Sequence, residues 1–257
     1  MPGDFLFCQI SDTHFMHKLE KIYDQIETYS QFTKVIEYCK NLNPNPDFYI
    51  MSGDLIHDKS EYYHNYIQLC NQLNKPFYLM MGNHDLRDSL KNYILNKKLI
   101  DKNGFINFTI DNYSLKIICL DTVIESVIEG EITKESLNWL EKELEKDKIR
   151  PTIIFMHHPP IKIGSVLFDD IKCKNGNDFL LLIKKYPNVF KIVFGHVHCI
   201  YSQTIKNLNL ISCPSSSFQF PLKARTTKNL LLDDKAYIQL FNWKNDKFLE
   251  NKIIEIK

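Results

Sequence analysis

Phe5-Leu6-Phe7-Cys8-Gln9-Ile10-Ser11-Asp12-Thr13-His14 is the stretch whose reading decides the fold. A short apolar run stops abruptly in a hydroxyl, a carboxylate and an imidazole. Beyond it, Ile26, Tyr29, Phe32, Ile36 and Cys39 recur at helical spacing. Strand, polar loop and amphipathic helix follow one another, the opening unit of an α/β sheet. The same unit recurs downstream. Phe48 to Met51 runs into Ser52-Gly53-Asp54, with a helix over Tyr62 to Leu73, and Phe77 to Met81 follows Pro76 and runs into Gly82-Asn83-His84-Asp85. In open α/β sheets ligands bind beyond the carboxyl ends of the strands, so these endings are expected on one edge.

The second half repeats the pattern. Leu115 to Leu120 reads as a strand ending at Asp121, and Thr133 as the N-cap of a helix carrying Leu137, Leu140 and Leu144. Thr152 to Met156 enters His157-His158-Pro159-Pro160, Asp178 to Lys185 is helical, and Val189 to Phe194 enters Gly195-His196-Val197-His198. After Ile200 only strands are expected: Asn207 to Ser212, Ala236 to Trp243 and Phe248 to Ile256. Two sheets packed face to face with helices outside satisfy this order of elements. We expect one α/β domain over residues 1–257, with 221–257 as a β-rich completion of the sandwich.

Composition narrows the function classes. The chain is 44% hydrophobic, enough for a large core, so a metal is not needed to hold the fold and any metal site serves function. Its 32 basic and 31 acidic residues give a net charge of +1, which is no footprint of a dedicated nucleic-acid binder. No signal-like leader and no apolar run of membrane-spanning length stands out, and the 7 cysteines form no C-x-x-C pair. The expectation is a cytoplasmic protein with reduced thiols and no membrane partner. Its oligomeric state is left open, a homodimer included.

The chemistry lies in blocks that occur in order at strand ends: Asp12-x-His14, Gly53-Asp54, Gly82-Asn83-His84-Asp85, His157-His158 and Gly195-His196-x-His198. Carboxylate, amide oxygen and imidazole suit hard or borderline divalent metals, and a pair of ions needs a bridging ligand, for which Asp54 is the natural choice. Alternate residues of an extended segment point the same way, so each of Asp12/His14 and His196/His198 is expected to aim into one site from extended backbone.

In this order the blocks resemble the calcineurin-like metallophosphoesterases, which carry D-x-H, G-D, G-N-H-[DE], H and G-H-x-H. The resemblance runs from Asp12 to about Phe220. Ile10-Ser11-Asp12-Thr13-His14, Leu120-Asp121-Thr122, His157-His158-Pro159-Pro160 and Pro214-Ser215-Ser216-Ser217 look like the class III cyclic-nucleotide phosphodiesterases, relatives of bacterial cAMP phosphodiesterases and glycerophosphodiesterases. The intact Gly82-Asn83-His84-Asp85 differs from the lipid A pathway pyrophosphatases, which usually show Arg for this His. Gly53-Asp54-Leu55-Ile56-His57 lacks the G-D-x-V-D-R-G phrase of the protein serine/threonine phosphatases.

The resemblance implies a four-layer αββα sandwich of two mixed sheets and a two-metal site. Asp12, His14 and His198 would hold one ion, Asn83, His157 and His196 the other, and Asp54 would bridge. Mn²⁺ and Fe²⁺/Fe³⁺ are the leading expectations, and Zn²⁺ or Co²⁺ are compatible with the same ligands. The expected activity is hydrolysis of a small phosphodiester, a 3′,5′-cyclic nucleotide such as cAMP, by in-line attack of a hydroxide bridging the metals. His84 is the candidate to stabilise phosphoryl charge and protonate the leaving oxygen, with Asp85 orienting its imidazole. Substrate contacts are expected from Asn83 and His84; Arg87 either reaches a substrate phosphate or forms a helix-surface salt bridge, His158 either contacts substrate or orients His157, and Ser215 to Ser217 with Phe218 and Phe220 are read as a loop over the site. Asp121 is read as an outer residue, and His17, His57 and His64 as structural or exposed. The competing readings are a broad phosphomonoesterase, a glycerophosphodiesterase, a 2′,3′-cyclic-nucleotide phosphodiesterase, a nuclease, and a non-catalytic scaffold. A nuclease would want a basic groove, and a scaffold has no use for so complete a ligand set.

Overall fold

In the computed structural model, which describes residues 3–222, 232–244 and 246–257, the strands gather into two mixed sheets. The first contains β1 (Phe5–Ile10), β2 (Phe48–Met51), β3 (Phe77–Leu79), β10 (Ala236–Lys244) and β11 (Phe248–Ile256), in the order β11-β10-β1-β2-β3. Strands β1, β2 and β3 are parallel, while β10 and β11 join as an antiparallel hairpin. The second contains β4 (Phe108–Ile110), β5 (Lys116–Leu120), β6 (Thr152–Met156), β7 (Val189–Phe194), β8 (Ser202–Ile205) and β9 (Leu208–Ser212), in the order β4-β5-β6-β7-β9-β8. Its centre is parallel and its two edge strands are antiparallel. Within the expected C-terminal completion, 223–231 lies outside the described residues.

Alternation along the strands builds the layers. On β5, Ile117 and Cys119 enter the core shared with the first sheet, whereas Ile118 and Leu120 enter a second core. Phe155 of β6 meets Phe7 and Phe241 edge-on at ring-centroid distances of 6.2 and 5.7 Å, which joins the sheets face to face. Helices α1 (Thr28–Lys40) and α2 (Tyr62–Asn71) bury Phe32, Ile36, Tyr66 and Leu69 with the first sheet. Helices α4 (Lys134–Glu145) and α5 (Gly176–Ile183) bury Leu140, Leu144, Phe179 and Ile183 against the second. Each such side chain contributes about 1.5–3 kcal/mol on leaving water. The result is the expected αββα sandwich.

The Thr133 cap is present, its hydroxyl accepting from Ser136 N–H at 3.2 Å. The short elements β4, β8 and α3 (Arg87–Lys91) carry no run long enough to show a period, and their pairing partners define them. No helix among the described residues is long and apolar enough to cross a membrane.

Candidate metal centre and active site

The polar blocks that follow β1, β2, β3, β6 and β7 converge, tied together by their own backbones. Asp12 N–H donates to Gly53 O at 3.0 Å, His14 N–H to Asp54 O at 2.8 Å, and Gly195 N–H to His157 O at 3.1 Å. Asp12 Oδ1 accepts from His196 N–H, and Asp54 Oδ1 from His84 N–H, both at 2.8 Å. The loops approach so closely that a Cβ at Gly82 would lie 2.1 Å from Asp54 N. Gly53, at φ +95°, sits where a Cβ would come within 2.6 Å of His157 Nδ1.

How the candidate ligands aim inward departs from the expectation of extended backbone. Asp12, His14, Asp54, His196 and His198 all lie in the left-handed region, at φ 53°, 42°, 49°, 68° and 44°. Side chains rarely adopt this conformation without glycine, and its concentration here marks strain held in place by surrounding bonds. Ser215 to Ser217 supply part of that hold. The hydroxyls of Ser215 and Ser217 donate to Asp12 O at 2.7 and 2.9 Å, and Ser216 N–H donates to Ser11 O at 2.8 Å. These serines are fully buried and brace Asp12 instead of forming a loop over the substrate; Phe218 and Phe220 do line the cavity.

The imidazoles crowd around the two carboxylates. Asp54 Oδ2 lies 3.5 Å from His14 Nε2 and 3.3 Å from His157 Nε2, and Asp12 Oδ1 lies 3.5 Å from His198 Nε2. His14 Nε2 and His198 Nε2 are 2.9 Å apart. His157 Nδ1 bonds Ser52 O at 3.1 Å and His198 Nδ1 bonds Phe218 O at 3.0 Å, so each ring donates there and turns its Nε2 inward. His196 Nδ1 lies 2.9 Å from Asn83 Oδ1. The buried Nε2 atoms of His157 and His196 have no hydrogen-bond partner among the described residues. Buried polar atoms without partners are costly, and imidazole nitrogens left so, with His157 Nε2 facing Asp54 Oδ2 at 3.3 Å, are suited to serve as metal donors. Asp12, His14, Asp54 and His198 form one group able to hold an ion, and His157 and His196 belong to a neighbouring one.

Charge follows from this packing. Burial holds His14 and His196 well below the ordinary imidazole pKa and pushes His198 down to about 3, so all three stay neutral and keep a free lone pair. Burial alone would lower His157 too, but the Asp54 charge outweighs it and raises His157 to about 9. Burial likewise favours a protonated Asp54, yet His157, His84 and His14 hold it well below the usual carboxylate range. Asp12 is pushed up to about 7, chiefly by burial.

His84 is 27% exposed at its side chain and lines the cavity. Its Nδ1 pairs with Asp58 Oδ1 at 2.9 Å, not with Asp85. The Asp85 carboxylate instead accepts from Leu55 N–H, Gly82 N–H and the Tyr63 hydroxyl, which stitches the Gly82 turn to the Asp54 loop. Asp85 therefore positions the loop and leaves the imidazole to Asp58. Burial opposes a charged His84, but Asp54 and the Asp58 bond raise it to about 9. His57, expected to be structural or exposed, is partly buried, with Nδ1 3.4 Å from His14 Nδ1 and its ring stacked on His84 at 4.8 Å.

Two expected substrate contacts are redirected. Both nitrogens of His158 are occupied, Nδ1 by Thr122 Oγ1 at 2.8 Å and Nε2 by Ile128 O at 3.0 Å, so its ring packs behind His157 and His196. Burial pushes its pKa down to about 3. Arg87 turns away from the phosphate position: Nε and Nη2 donate to the fully buried Asp121 carboxylate at 3.2 and 3.1 Å, and Nη2 also to Val123 O at 2.7 Å. Arg87→Ala is expected to leave Asp121 buried without its partner and cost about 3–5 kcal/mol, read as a lower midpoint in denaturant unfolding, with KM for substrate little changed.

The cavity beside these groups has a volume of about 280 Å³, and Asn83, His84, His196 and His198 share its wall with Ile128, Leu167, Phe168 and Ile171. The apolar part escaped sequence reading because its residues come from loops with no period.

Comparison with known proteins places this arrangement. The sequence pattern of the calcineurin-like phosphoesterases matches residues 5–200. The chain is 30% identical over 244 residues to a probable glycerophosphodiester phosphodiesterase of Arcobacter nitrofigilis, covering 94% of this chain and 89% of that protein. It is 29% identical to a 3′,5′-cyclic-nucleotide phosphodiesterase of Nostoc sp., covering 85% and 80%. Its fold superimposes with a TM-score of 0.70 on a dimetal phosphatase from Danio rerio, 13% identical, over 98% of this chain and 99% of that one. With the motif order, the αββα sandwich and the convergent His/Asp cluster in agreement, the chain belongs to the calcineurin-like phosphoesterase family.

Proposed function

We propose that the protein is a metal-dependent hydrolase of small phosphodiesters, with 3′,5′-cyclic nucleotides as its substrates. The observation that carries this reading is the cluster of Asp12, His14, Asp54, His157, His196 and His198, with buried imidazole nitrogens that have no hydrogen-bond partner among the described residues. Relatives named as cyclic-nucleotide and glycerophosphodiester phosphodiesterases, each matched over most of its length, support the substrate class.

In this reading Asp12, His14 and His198 would hold one ion, Asn83, His157 and His196 would hold the other, and Asp54 would serve both. Mn²⁺ or iron fits such an oxygen and imidazole set. Bound there, the ions would neutralise phosphoryl charge and acidify water. The protein's own groups do the rest. The Asp58 bond fixes the His84 ring, and the Asp54 charge together with that bond keeps it protonated at neutral pH, so its remaining nitrogen can donate to the leaving oxygen. Among the described residues no Ser, Thr or Cys lines the cavity, so a hydroxyl or thiol nucleophile of those types is not at hand there. A cavity of about 280 Å³ is of a size for one small organic molecule. The cysteines are free, buried thiols, in keeping with a reducing, cytoplasmic setting.

The test is turnover by Mn²⁺- or iron-reconstituted protein on cAMP, cGMP, 2′,3′-cyclic nucleotides, a glycerophosphodiester and p-nitrophenyl phosphate. The expected result is the highest kcat/KM on the 3′,5′-cyclic nucleotides; a dominant monoester activity overturns the reading. A second measurement concerns protons. Metal-stripped protein holds protons on His157, raised to about 9, and Asp12, raised to about 7. Metal must displace them, so its affinity is expected to rise as pH increases from 7 to 9, with proton release seen by calorimetry in buffers of different ionisation heat.

A further inference from the structure

Part of the cavity wall is a continuous arc of aromatic rings. Phe168 meets Phe220 edge-on at 5.5 Å between centroids, Phe220 meets Phe218 at 5.5 Å, and Phe218 meets Tyr23 at 6.2 Å. The arc follows the imidazoles: Phe168 lies 5.5 Å from His196, Phe220 lies 5.2 Å from His198, and Phe218 lies 5.5 Å from His14. Phe168 and Phe218 are buried, and their rings are spent on packing. Tyr23 is 59% exposed while still lining the cavity, so its ring has a face to offer.

The backbone holds Tyr23 there against its own preference. Tyr23 and Asp24 are both left-handed, at φ 52° and 57°. Asp tolerates that region, but a bulky aromatic seldom occupies it. The turn is closed by Ile22 N–H to Ile26 O at 2.9 Å and Ile26 N–H to Ile22 O at 3.2 Å. Ile22 and Ile26 are in turn buried against Phe218. A strained residue whose side chain is mostly in water gains little from packing. Strain retained at the mouth of a site points to a use for the side chain.

We propose that Tyr23 is a specificity-determining residue of this site. Its exposed ring face, held by an edge-on contact with Phe218, stacks on a nucleobase, so phosphodiesters carrying a planar heteroaromatic group are preferred over those carrying only a polyol. The inference rests on the phosphodiesterase reading above and adds to it the group recognised beyond the phosphate. Stacking on a ring is tolerant of base identity, so adenine and guanine should be treated alike.

The experiment uses the 257-residue chain reconstituted with Mn²⁺ and compares Tyr23→Phe with Tyr23→Asn. Phe keeps the ring, whereas Asn removes it and favours the left-handed backbone, so the Asn variant should melt no lower than the parent. Tyr23→Asn is expected to raise KM for cAMP and cGMP about tenfold with kcat little changed, and to leave KM for glycerophosphoethanolamine as it was; Tyr23→Phe should match the parent. Equal losses on both kinds of diester, no loss on the cyclic nucleotides, or an equal loss in Tyr23→Phe overturns the proposal. Equilibrium binding of 5′-AMP against glycerol 3-phosphate reads the same preference without turnover. If neither diester is hydrolysed, the phosphodiesterase reading falls, and the AMP preference and its loss in Tyr23→Asn still decide the role of Tyr23.

Discussion

Asp54→Asn is expected to lower kcat/KM on cAMP by on the order of 10³-fold or more and to reduce the bound metal to one ion or none, measured by elemental analysis of the reconstituted protein. The geometry explains why an isosteric change should be so damaging. Asp54 uses both oxygens, Oδ1 accepting from His84 N–H and Oδ2 facing His14 and His157. Asn has one acceptor oxygen for these two tasks. If that oxygen stays with His84 N–H, the amide NH₂ faces His14 Nε2 and His157 Nε2, where a donor cannot ligate a cation. If the side chain flips, the His84 backbone loses its acceptor and the turn that carries Asn83 and His84 loosens. A fully metallated, fully active Asp54→Asn variant would remove Asp54 from the centre of the site.

His84→Ala should keep both metals and lose about 10² to 10⁴ in kcat, the range expected of a positioned general acid. The loss should be smaller on bis(p-nitrophenyl) phosphate, whose leaving group departs without a proton. Asp58→Asn tests the dyad from the other side. Removing the Asp58 carboxylate takes away a charge and a hydrogen bond that raise His84, so the His84 pKa falls and the alkaline limb of the rate profile moves to lower pH. The sign is set by the role: the acid must be protonated, so activity is present below the His84 pKa and fades as pH rises through it. In the His84→Ala background, Asp58→Asn should add little, because both changes break one interaction. Additive losses, or loss of metal in His84→Ala, would place His84 among the ligands instead.

Several elements were legible because their cause is local. The mostly apolar runs at Phe48 to Met51, Thr152 to Met156 and Val189 to Phe194 match β2, β6 and β7 residue for residue, since a short hydrophobic strand bounded by polar or glycine residues has few alternatives when both faces are largely buried. The Thr133 cap is likewise local, a hydroxyl satisfying an N–H a few bonds away. The same locality made the polar blocks readable as strand endings.

What escaped reading depends on partners far apart in the chain. Arg87 is 34 residues from Asp121, and nothing near Gly82-Asn83-His84-Asp85 announces that its guanidinium is already claimed. Asp58 stands 26 residues before His84, outside the motif, while Asp85 stands beside it; adjacency in sequence suggested the wrong carboxylate. The closest available signal was that Asp58 follows Asp54 on the same loop, within reach of whatever Asp54 touches. Tyr23 gave no signal, because a left-handed aromatic is held by the turn around it and by Phe218, not by its own preference.

The sequence by itself determined the order of strands and helices, the αββα class and the residue types of a metal-binding cluster, because hydrophobic period and strand-end polarity are written in near neighbours. Only the tertiary structure decided how those residues are aimed and which of them meet. The left-handed kinks at Asp12, His14, Asp54, His196 and His198 are unfavourable locally and persist because distant segments, such as Ser215 and Ser217 on the Asp12 carbonyl, hold them there.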